Sequence, residues 1–392
     1  MSKAAPVRGI AIALLAAVAL GMLVYPAEAL RAARRGLELW ANVVLPATFP
    51  FLVLAELSIA WEVPQALAVL SAPFVRALFR LPGTAAFPFL FGLFSGYPTT
   101  AKVASRLVQE GLLDRASAAR LTAFLTSADP LFLGAAVATG LLGRPELTPY
   151  LFALHYGTSV GLGLFSRFSP FERRRRTEDT LSCLPRDAPD STFRGQPHES
   201  LGRTFARAVH EAAYTLIAIG GIMTFIAVAL QTAMLELSWC AGRVSEASLP
   251  SAAKGILTGL FEVTLGLAEI ARSPLRENER IALVLFLLGW GGLSVHVQVA
   301  AFLAEAGVSF RAFPIYRLLH GTLSAALSFL VWPHVEPWLS PAIPATAPLS
   351  EKLLGSEGSP PGNLWIPSLG LAAILALGLA LGSRYRRRSA AL

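Results

Sequence analysis

Two related apolar stretches of the chain are each interrupted by glycine, and the first also by proline. GLFSGYPTTAKVA begins at Gly92 and GLFEVTLGLAEIA begins at Gly259, an offset of 167 residues (259 minus 92). At this offset Lys102 corresponds to Glu269. Membrane proteins built from two related halves, with discontinuous helices at matching positions, usually transport solutes. The repeat therefore predicts two inverted structural repeats with broken or re-entrant helices.

The composition places the chain in the membrane. It is 54% hydrophobic and only 15% charged, whereas a soluble domain carries roughly 25% charged residues. Several windows approach the roughly 20 apolar residues that cross a bilayer as a helix. We therefore expect an all-α, polytopic, integral membrane protein. The net charge of +8 comes from basic residues at segment ends, which is typical of cytoplasmic flanks and does not indicate nucleic-acid binding.

The chain divides into five parts by its apolar spans and polar linkers. They are an N-terminal transmembrane helix at 1–35, a first repeat at 36–168, a basic cytoplasmic loop at 169–202, a second repeat at 203–335, and a linker with a C-terminal transmembrane helix at 336–392. Ala27–Ala29 also fits a signal-peptidase site, so cleavage of the first helix is left open. Arg173–Arg176 and the arginines after residue 383 predict that this loop and both termini are cytoplasmic. That arrangement fits best if 253–272 is re-entrant.

Four segments should break their helices, because proline removes a backbone donor and glycine loosens the backbone. The four predicted breaks are Ser95–Pro98, Ser127–Pro130, Thr264–Gly266 and Gly291–Ser294. In hydrocarbon, irregular backbone survives only where protein or a water-filled cavity satisfies its polar groups. Simple proline kinks are the alternative, but matching positions in the two halves favour a shared site near the bilayer midplane.

Charged residues near the breaks suggest binding or coupling roles. Lys102 lies seven residues after Ser95, about two helical turns, so it could reach the break, snorkel to the interface, or pair with Glu269. Glu262 corresponds to Ser95 in the repeat and lies seven residues before Glu269. Paired carboxylates inside a membrane suit a proton or cation site, although Glu269 could also be solvated. Asp129 could bind solute or only cap the helix after it.

Ser294, His296 and Gln298 alternate along GGLSVHVQV. A period of two predicts an extended stretch that lines a cavity, and His296 could titrate near neutral pH or be hydrogen-bonded between helices. The candidate substrate-binding residues are Ser95, Gly96, Tyr97, Thr99, Lys102, Ser127, Asp129, Glu262, Thr264, Ser294, His296 and Gln298. Candidates for an ion pair or for coupling are Glu269 and Glu56.

Signatures of catalysis and of cofactor binding are missing from the sequence. It has no phosphate-binding loop, no His-Glu-x-x-His and no Gly-x-Ser-x-Gly elbow. Its two cysteines, Cys183 and Cys240, have no zinc-like spacing. We therefore predict no enzymatic activity, no cofactor, no metal site and no ATP-driven step.

Several of these segments resemble a known family. SGYPTTAKV followed by SADPLFLG, and later GLFEVTLGL with GWGGLSVHVQV, are similar to the two nucleoside-recognition "Gate" segments of YlbJ-type sporulation integral membrane proteins. VVLPATFPFLVLAEL resembles the early span of that family. The similarity covers roughly residues 36–335. The chain departs from the family pattern at Thr99–Thr100 and at Ala128–Asp129.

The resemblance implies a transporter of endospore formation that moves dipicolinate from the mother cell toward the forespore, in the cell membrane or the outer forespore membrane. Half-helix N-termini with Lys102 would suit a small dianion, and Tyr97 could stack on a pyridine ring. A nucleoside transporter and a non-transporting membrane scaffold are the alternatives. The expected partners are the small-molecule substrate and the lipid bilayer, and homo-oligomerisation is left open.

Overall fold

The computed structural model describes residues 4–94, 96–168, 200–240 and 250–339. All regular elements in these ranges are helical, which confirms the predicted all-α class. The α-helices are α1 (Ala4–Val24), α2 (Pro26–Leu39), α3 (Leu45–Ala60), α4 (Val63–Phe79), α5 (Ala86–Phe94), α6 (Tyr97–Gln109), α7 (Arg115–Leu125), α8 (Thr148–Ser166), α9 (Leu201–Cys240), α10 (Ser251–Phe261), α11 (Val263–Ala271), α12 (Glu277–Trp290), α13 (Gly292–Glu305) and α14 (Phe313–Val335). Two π-helical segments, Trp40–Val44 and Phe132–Leu141, and three short 3-10 turns, Gly83–Ala85, Pro145–Leu147 and Glu336–Trp338, complete the set.

Three helices in the described ranges are long and apolar enough to cross a membrane. They are Leu201–Glu236, Glu277–Glu305, which combines α12 and α13, and Phe313–Trp338. Two bent pairs could each add one more span: Ile12–Val24 with Pro26–Asn42 at 109°, and Ser71–Phe79 with Gly83–Leu93 at 90°. The predicted N-terminal helix is therefore two helices that meet at a sharp bend.

The N-terminal helices pack along the long helix α9. The indole nitrogen of Trp40 donates a hydrogen bond to the carbonyl of Leu216 over 2.9 Å, and Arg35 donates to the Gln231 side chain over 2.8 Å. Gly220 provides room for the Trp40 ring, since a methyl group there would lie 2.8 Å from it. These contacts join the start of the chain to the second half.

Each half contains a helical hairpin with a break at its tip. In the second half, α10 and α11 fold back on each other: Gly259 faces Gly266 in backbone contact, and Gly255 faces Ile270. In the first half, α5 packs on α6 with Gly92 against Thr100. Small residues allow this close approach because they carry no bulky side chain. The re-entrant course of 253–272 in the membrane stays a prediction.

A broken helix and then a continuous helix follow the hairpin in each half. In the first half α7 ends at Leu125, residues 126–129 are not helical, and α8 comes later. In the second half α12 and α13 meet at Gly291, and α14 follows. The two halves thus share one order of elements, while their inverted orientation stays a prediction.

Both halves contribute to one buried apolar core. This core includes Phe87, Leu107 and Phe124 from the first half, and Leu285 and Leu303 from the second. Helix α14 packs against α12, α7 and α8 and so bridges the halves. The described residues do not include Ser95, the predicted basic loop with Arg173–Arg176 and Cys183, or the predicted C-terminal helix.

Candidate functional site

The four helix breaks meet around one cavity. A methyl group on Gly96 would lie 3.2 Å from Asp129 Oδ2, and one on Gly291 would lie 3.5 Å from the Tyr97 ring. One on Gly292 would lie 2.9 Å from the backbone nitrogen of Val263. The breaks therefore touch in pairs, and the contact between Gly291 and Tyr97 connects the first half to the second.

The cavity has a polar and an apolar part. The space between its atoms, with the open mouth included, is about 540 Å³. Its polar lining residues are Thr48, Tyr97, Asp129, Glu262, Thr264, Ser294 and Gln298. Its apolar and glycine lining residues are Val44, Gly96, Pro98, Phe132, Ile219, Met223, Val263 and Val295.

The first break forms the tip of the α5–α6 hairpin. Gly96 has φ +83°, a conformation that L side chains rarely adopt, and Pro98 lies in the first turn of α6, where a missing N–H has no cost. The Tyr97 hydroxyl donates a hydrogen bond to the carbonyl of Leu288 over 2.8 Å. This bond fixes the hairpin tip against α12.

The second break is held by Asp129. One oxygen, Oδ1, accepts a hydrogen bond from the backbone nitrogen of Phe132 over 2.8 Å. Asp129 therefore caps the helix that starts at Pro130, as one of the two sequence interpretations proposed. Its other oxygen lies toward Gly96, and the residue is 7% exposed.

The third break lies at Glu262, two residues before the predicted Thr264–Gly266. Glu262 has extended backbone between α10 and α11, and its side chain accepts a hydrogen bond from the backbone nitrogen of Leu265 over 2.8 Å. This cap lets α11 start at Val263. Gly266 lies within α11, where it allows contact with Gly259 and does not break the helix.

The prediction of an extended stretch at residues 294–298 is wrong. These residues belong to α13, which begins after the left-handed Gly291 and Gly292 at φ +83° and +77°. Ser294 and Gln298 are four residues apart, so they share one helix face and both line the cavity. His296 lies on another face, where its ring centroid is 4.2 Å from that of Trp290.

The protein carboxylates occupy two half-helix N-termini that the sequence interpretation had assigned to an anionic solute. Asp129 caps one and Glu262 caps the other. Both side chains line the cavity, and the described lining residues include no Lys, Arg or His. The charged part of this lining is therefore acidic.

Gln298 and Ser294 are buried polar residues that have no hydrogen-bond partner among the described residues. They are 3% and 1% exposed, they line the cavity, and their side chains form no hydrogen bond with the described part of the chain. These two side chains are therefore available to a ligand.

Lys102 and Glu269 do not pair with each other. Lys102 Nζ lies 3.8 Å from Glu305 and 5.4 Å from the centre of the Phe302 ring, whereas Glu269 lies 3.7 Å from Lys254. The repeat relation between the two residues therefore does not bring them into contact, and neither lines the cavity.

The remaining candidates lie behind or away from the cavity wall. Thr99 and Ser127 are fully buried, and the Ser127 hydroxyl is 3.5 Å from that of Ser159. Glu56 on α3 is partly buried and is also absent from the cavity lining.

A buried network behind the cavity was missed by the sequence interpretation. Arg317, 1% exposed, donates to the carbonyl of Gly289 over 2.8 Å and to that of Thr126. Its third contact is Nδ1 of His320. Arg317 thus joins the C-terminal ends of α7 and α12, where partial negative charge favours a cation.

The histidines continue this network to the second break. His320 Nε2 lies 2.8 Å from the carbonyl of His155, and the two rings stack with centroids 4.6 Å apart. His155 Nε2 accepts a hydrogen bond from the backbone nitrogen of Ala128 over 3.2 Å. A charge within a predicted span is a functional signal by default, so Arg317 at the start of the span at 315–334 was detectable.

Comparisons with known proteins give one informative match. The chain is 32% identical over 336 residues to the sporulation integral membrane protein YlbJ of Bacillus subtilis (strain 168). The match covers 81% of this chain and 81% of that protein, so it extends into both halves. No family model matches the chain, and no solved structure matches it.

Proposed function

The chain belongs to the family of the sporulation integral membrane protein YlbJ, and from this premise we propose that it transports a small solute across a membrane during sporulation. The observation that carries the proposal is the meeting of four helix breaks, two from each half, at one cavity with unpartnered polar side chains. Broken helices around a central site are the usual construction of a secondary transporter. No enzymatic step is part of this proposal.

We propose dipicolinate as the solute, moved from the mother cell toward the forespore. Tyr97 and Phe132 present aromatic surfaces to the cavity, and such rings pack favourably on a flat aromatic solute. The Gln298 amide and the Ser294 hydroxyl form no hydrogen bond with the described residues, so their donors are available to the carboxylate oxygens of this solute.

A nucleoside is the second candidate because the charged lining of the cavity is acidic. Asp129 and Glu262 are hydrogen-bond acceptors when ionised, and they suit the N–H and O–H groups of a neutral solute better than a dianion. A membrane scaffold without transport activity is the third possibility, and it predicts that changes in the cavity lining have no effect on uptake.

Uptake by proteoliposomes tests the proposal. The purified protein is reconstituted, and radiolabelled dipicolinate and uridine are compared side by side. We expect dipicolinate to enter and Gln298→Leu to lower its uptake by about tenfold, because a buried site discriminates strongly through its hydrogen bonds. Gln231→Leu is the matched control, since Gln231 contacts Arg35 away from the cavity.

Each outcome has a defined meaning. Uptake of uridine alone would replace dipicolinate by a nucleoside. Uptake of neither solute, with normal sporulation of cells that carry Gln298→Leu, would favour a scaffold. Equal losses in Gln298→Leu and Gln231→Leu would show that the cavity has no special role in uptake.

A further inference from the structure

The cavity gathers two carboxyl groups that contact no cation of the described residues. Asp129 and Glu262 are 7% and 3% exposed, and the salt bridges of the described residues include neither of them. Each carboxylate uses one oxygen to cap a half-helix. A helix N-terminus offsets only about half an elementary charge, so two ionised carboxylates leave this site acidic.

The buried cation Arg317 contacts groups outside the cavity lining. Arg317 lies behind the wall, where its guanidinium contacts the carbonyls of Gly289 and Thr126 and the ring of His320. The two helix ends that it joins carry about −0.5 charge each, which together match its own charge. The acidic cavity therefore lacks a direct counter-charge among the described residues.

The other polar groups of the cavity supply neutral oxygen ligands. Gln298 and Ser294 are almost fully buried, form no hydrogen bond with the described residues and line the same cavity. Carboxylate, amide and hydroxyl oxygens are hard ligands, which suit hard metal cations and not zinc or copper. The described residues contain no group of three or more His, Cys, Asp or Glu placed so that it could hold a metal ion, so neutral oxygens and water would have to complete the coordination.

Contrary to the expectation of no metal site from the sequence, we propose that the cavity binds a hard metal cation between Asp129 and Glu262, with Gln298 and Ser294 as neutral ligands. The cation offsets the two carboxylates, and a solute with carboxylates of its own can then share the cavity. This second step rests on the proposed transport function. Cation binding itself does not, because it needs no solute.

Thermal unfolding of the purified full-length protein in detergent, without any solute, tests cation binding. NaCl is compared with choline chloride at equal ionic strength, and CaCl₂ is titrated separately. A ligand that binds the folded state raises the unfolding midpoint in a saturable way. We expect such a rise with Na⁺ or with Ca²⁺, and the responding ion identifies the charge class of the cation.

Isosteric variants locate the site. Asp129→Asn and Glu262→Gln keep an oxygen that can accept the capping hydrogen bond, so both variants should fold. We expect each to weaken the apparent affinity for the cation by about tenfold or more, because one of the two ligand charges is lost. Glu269→Gln is the matched control, since Glu269 pairs with Lys254 outside the cavity.

Three results would overturn the cation site. The first is a wild-type unfolding midpoint that responds to neither ion, and the second is an unchanged cation response in both cavity variants. The third is a midpoint that changes only with pH, which would mean that the carboxyl groups bind a proton and not a metal cation. The proposed function fails separately. If the protein binds the cation but takes up neither dipicolinate nor uridine, the cation site is supported and the proposed transport function is refuted.

Discussion

At the scale of single residues, Arg317 shows how a buried charge can be held without a carboxylate. Its guanidinium contacts two backbone carbonyls at helix ends and one histidine ring. The fork of a guanidinium can reach several acceptors at once, whereas the ammonium of lysine is a compact point charge. The position therefore requires arginine for its shape as well as for its charge.

Replacement of Arg317 should destabilise the protein. Arg317→Met leaves two buried carbonyls without their partner, at about 1–3 kcal/mol each, so we expect a clear fall in the unfolding midpoint. The unfolding midpoint of Arg317→Lys should lie between those of Arg317→Met and wild type. Arg311→Met is the control, because Arg311 is exposed. A midpoint for Arg317→Met equal to that of Arg311→Met would contradict the role of the network.

Residue roles were harder to predict from the sequence than the positions of the breaks. Lys102 occupies a matching position in the repeat, yet its salt-bridge partner is Glu305, which the repeat relation did not indicate. Ser294 and Gln298 were identified, but from a period of two, whereas they share a face because α13 is helical. Side-chain partners depend on the packing of distant segments, and a repeat offset does not specify that packing.

At the scale of elements, proline and glycine marked the breaks well. Ser95–Pro98, Ser127–Pro130 and Gly291–Ser294 each contain the interruption, because these residues weaken a helix locally. The third break was misplaced by two residues, since Gly266 serves close packing and the carboxylate of Glu262 caps the next helix. Local composition does not distinguish a glycine that ends a helix from one that admits a neighbour.

The α10–α11 hairpin should be sensitive to any side chain at its crossing. Gly266→Ala places a methyl group against the backbone of Gly259, and such overpacking costs about 1–3 kcal/mol. We expect a lower unfolding midpoint and reduced solute uptake, because the Glu262 tip must move. Gly221→Ala is the control, since a methyl group there meets nothing within 4 Å. If Gly266→Ala had the unfolding midpoint and the solute uptake of wild type, α10 and α11 could move apart without loss of stability or function.

At the scale of the whole molecule, neither half completes the site alone. Tyr97 of the first half bonds to Leu288 of the second, and Arg317 of the second bonds to Thr126 of the first. The Ser105 hydroxyl adds a hydrogen bond to the carbonyl of Phe302 over 2.8 Å. The paired order of elements was visible in the sequence repeat. These contacts between the halves were not, because they join residues about 190 positions apart.

The orientation of the halves in the membrane can be tested with the two native cysteines. Helix α9 has 40 residues, which at 1.5 Å per residue is about 60 Å, twice the hydrocarbon thickness. Its span Leu201–Glu236 follows the basic loop that contains Cys183, and Cys240 ends the helix. If the loop is cytoplasmic, as its arginines predict, these cysteines lie on opposite sides of the membrane.

A membrane-impermeant thiol reagent applied to intact cells of a heterologous host distinguishes the two sides. The Cys183→Ser variant retains only Cys240, and we expect its labelling from outside. The Cys240→Ser variant retains only Cys183, and we expect its labelling only after the cells are permeabilised. The reverse pattern would invert the topology. Labelling of both from outside would mean that α9 does not cross the membrane, and the inverted arrangement of the halves would then lose its connecting span.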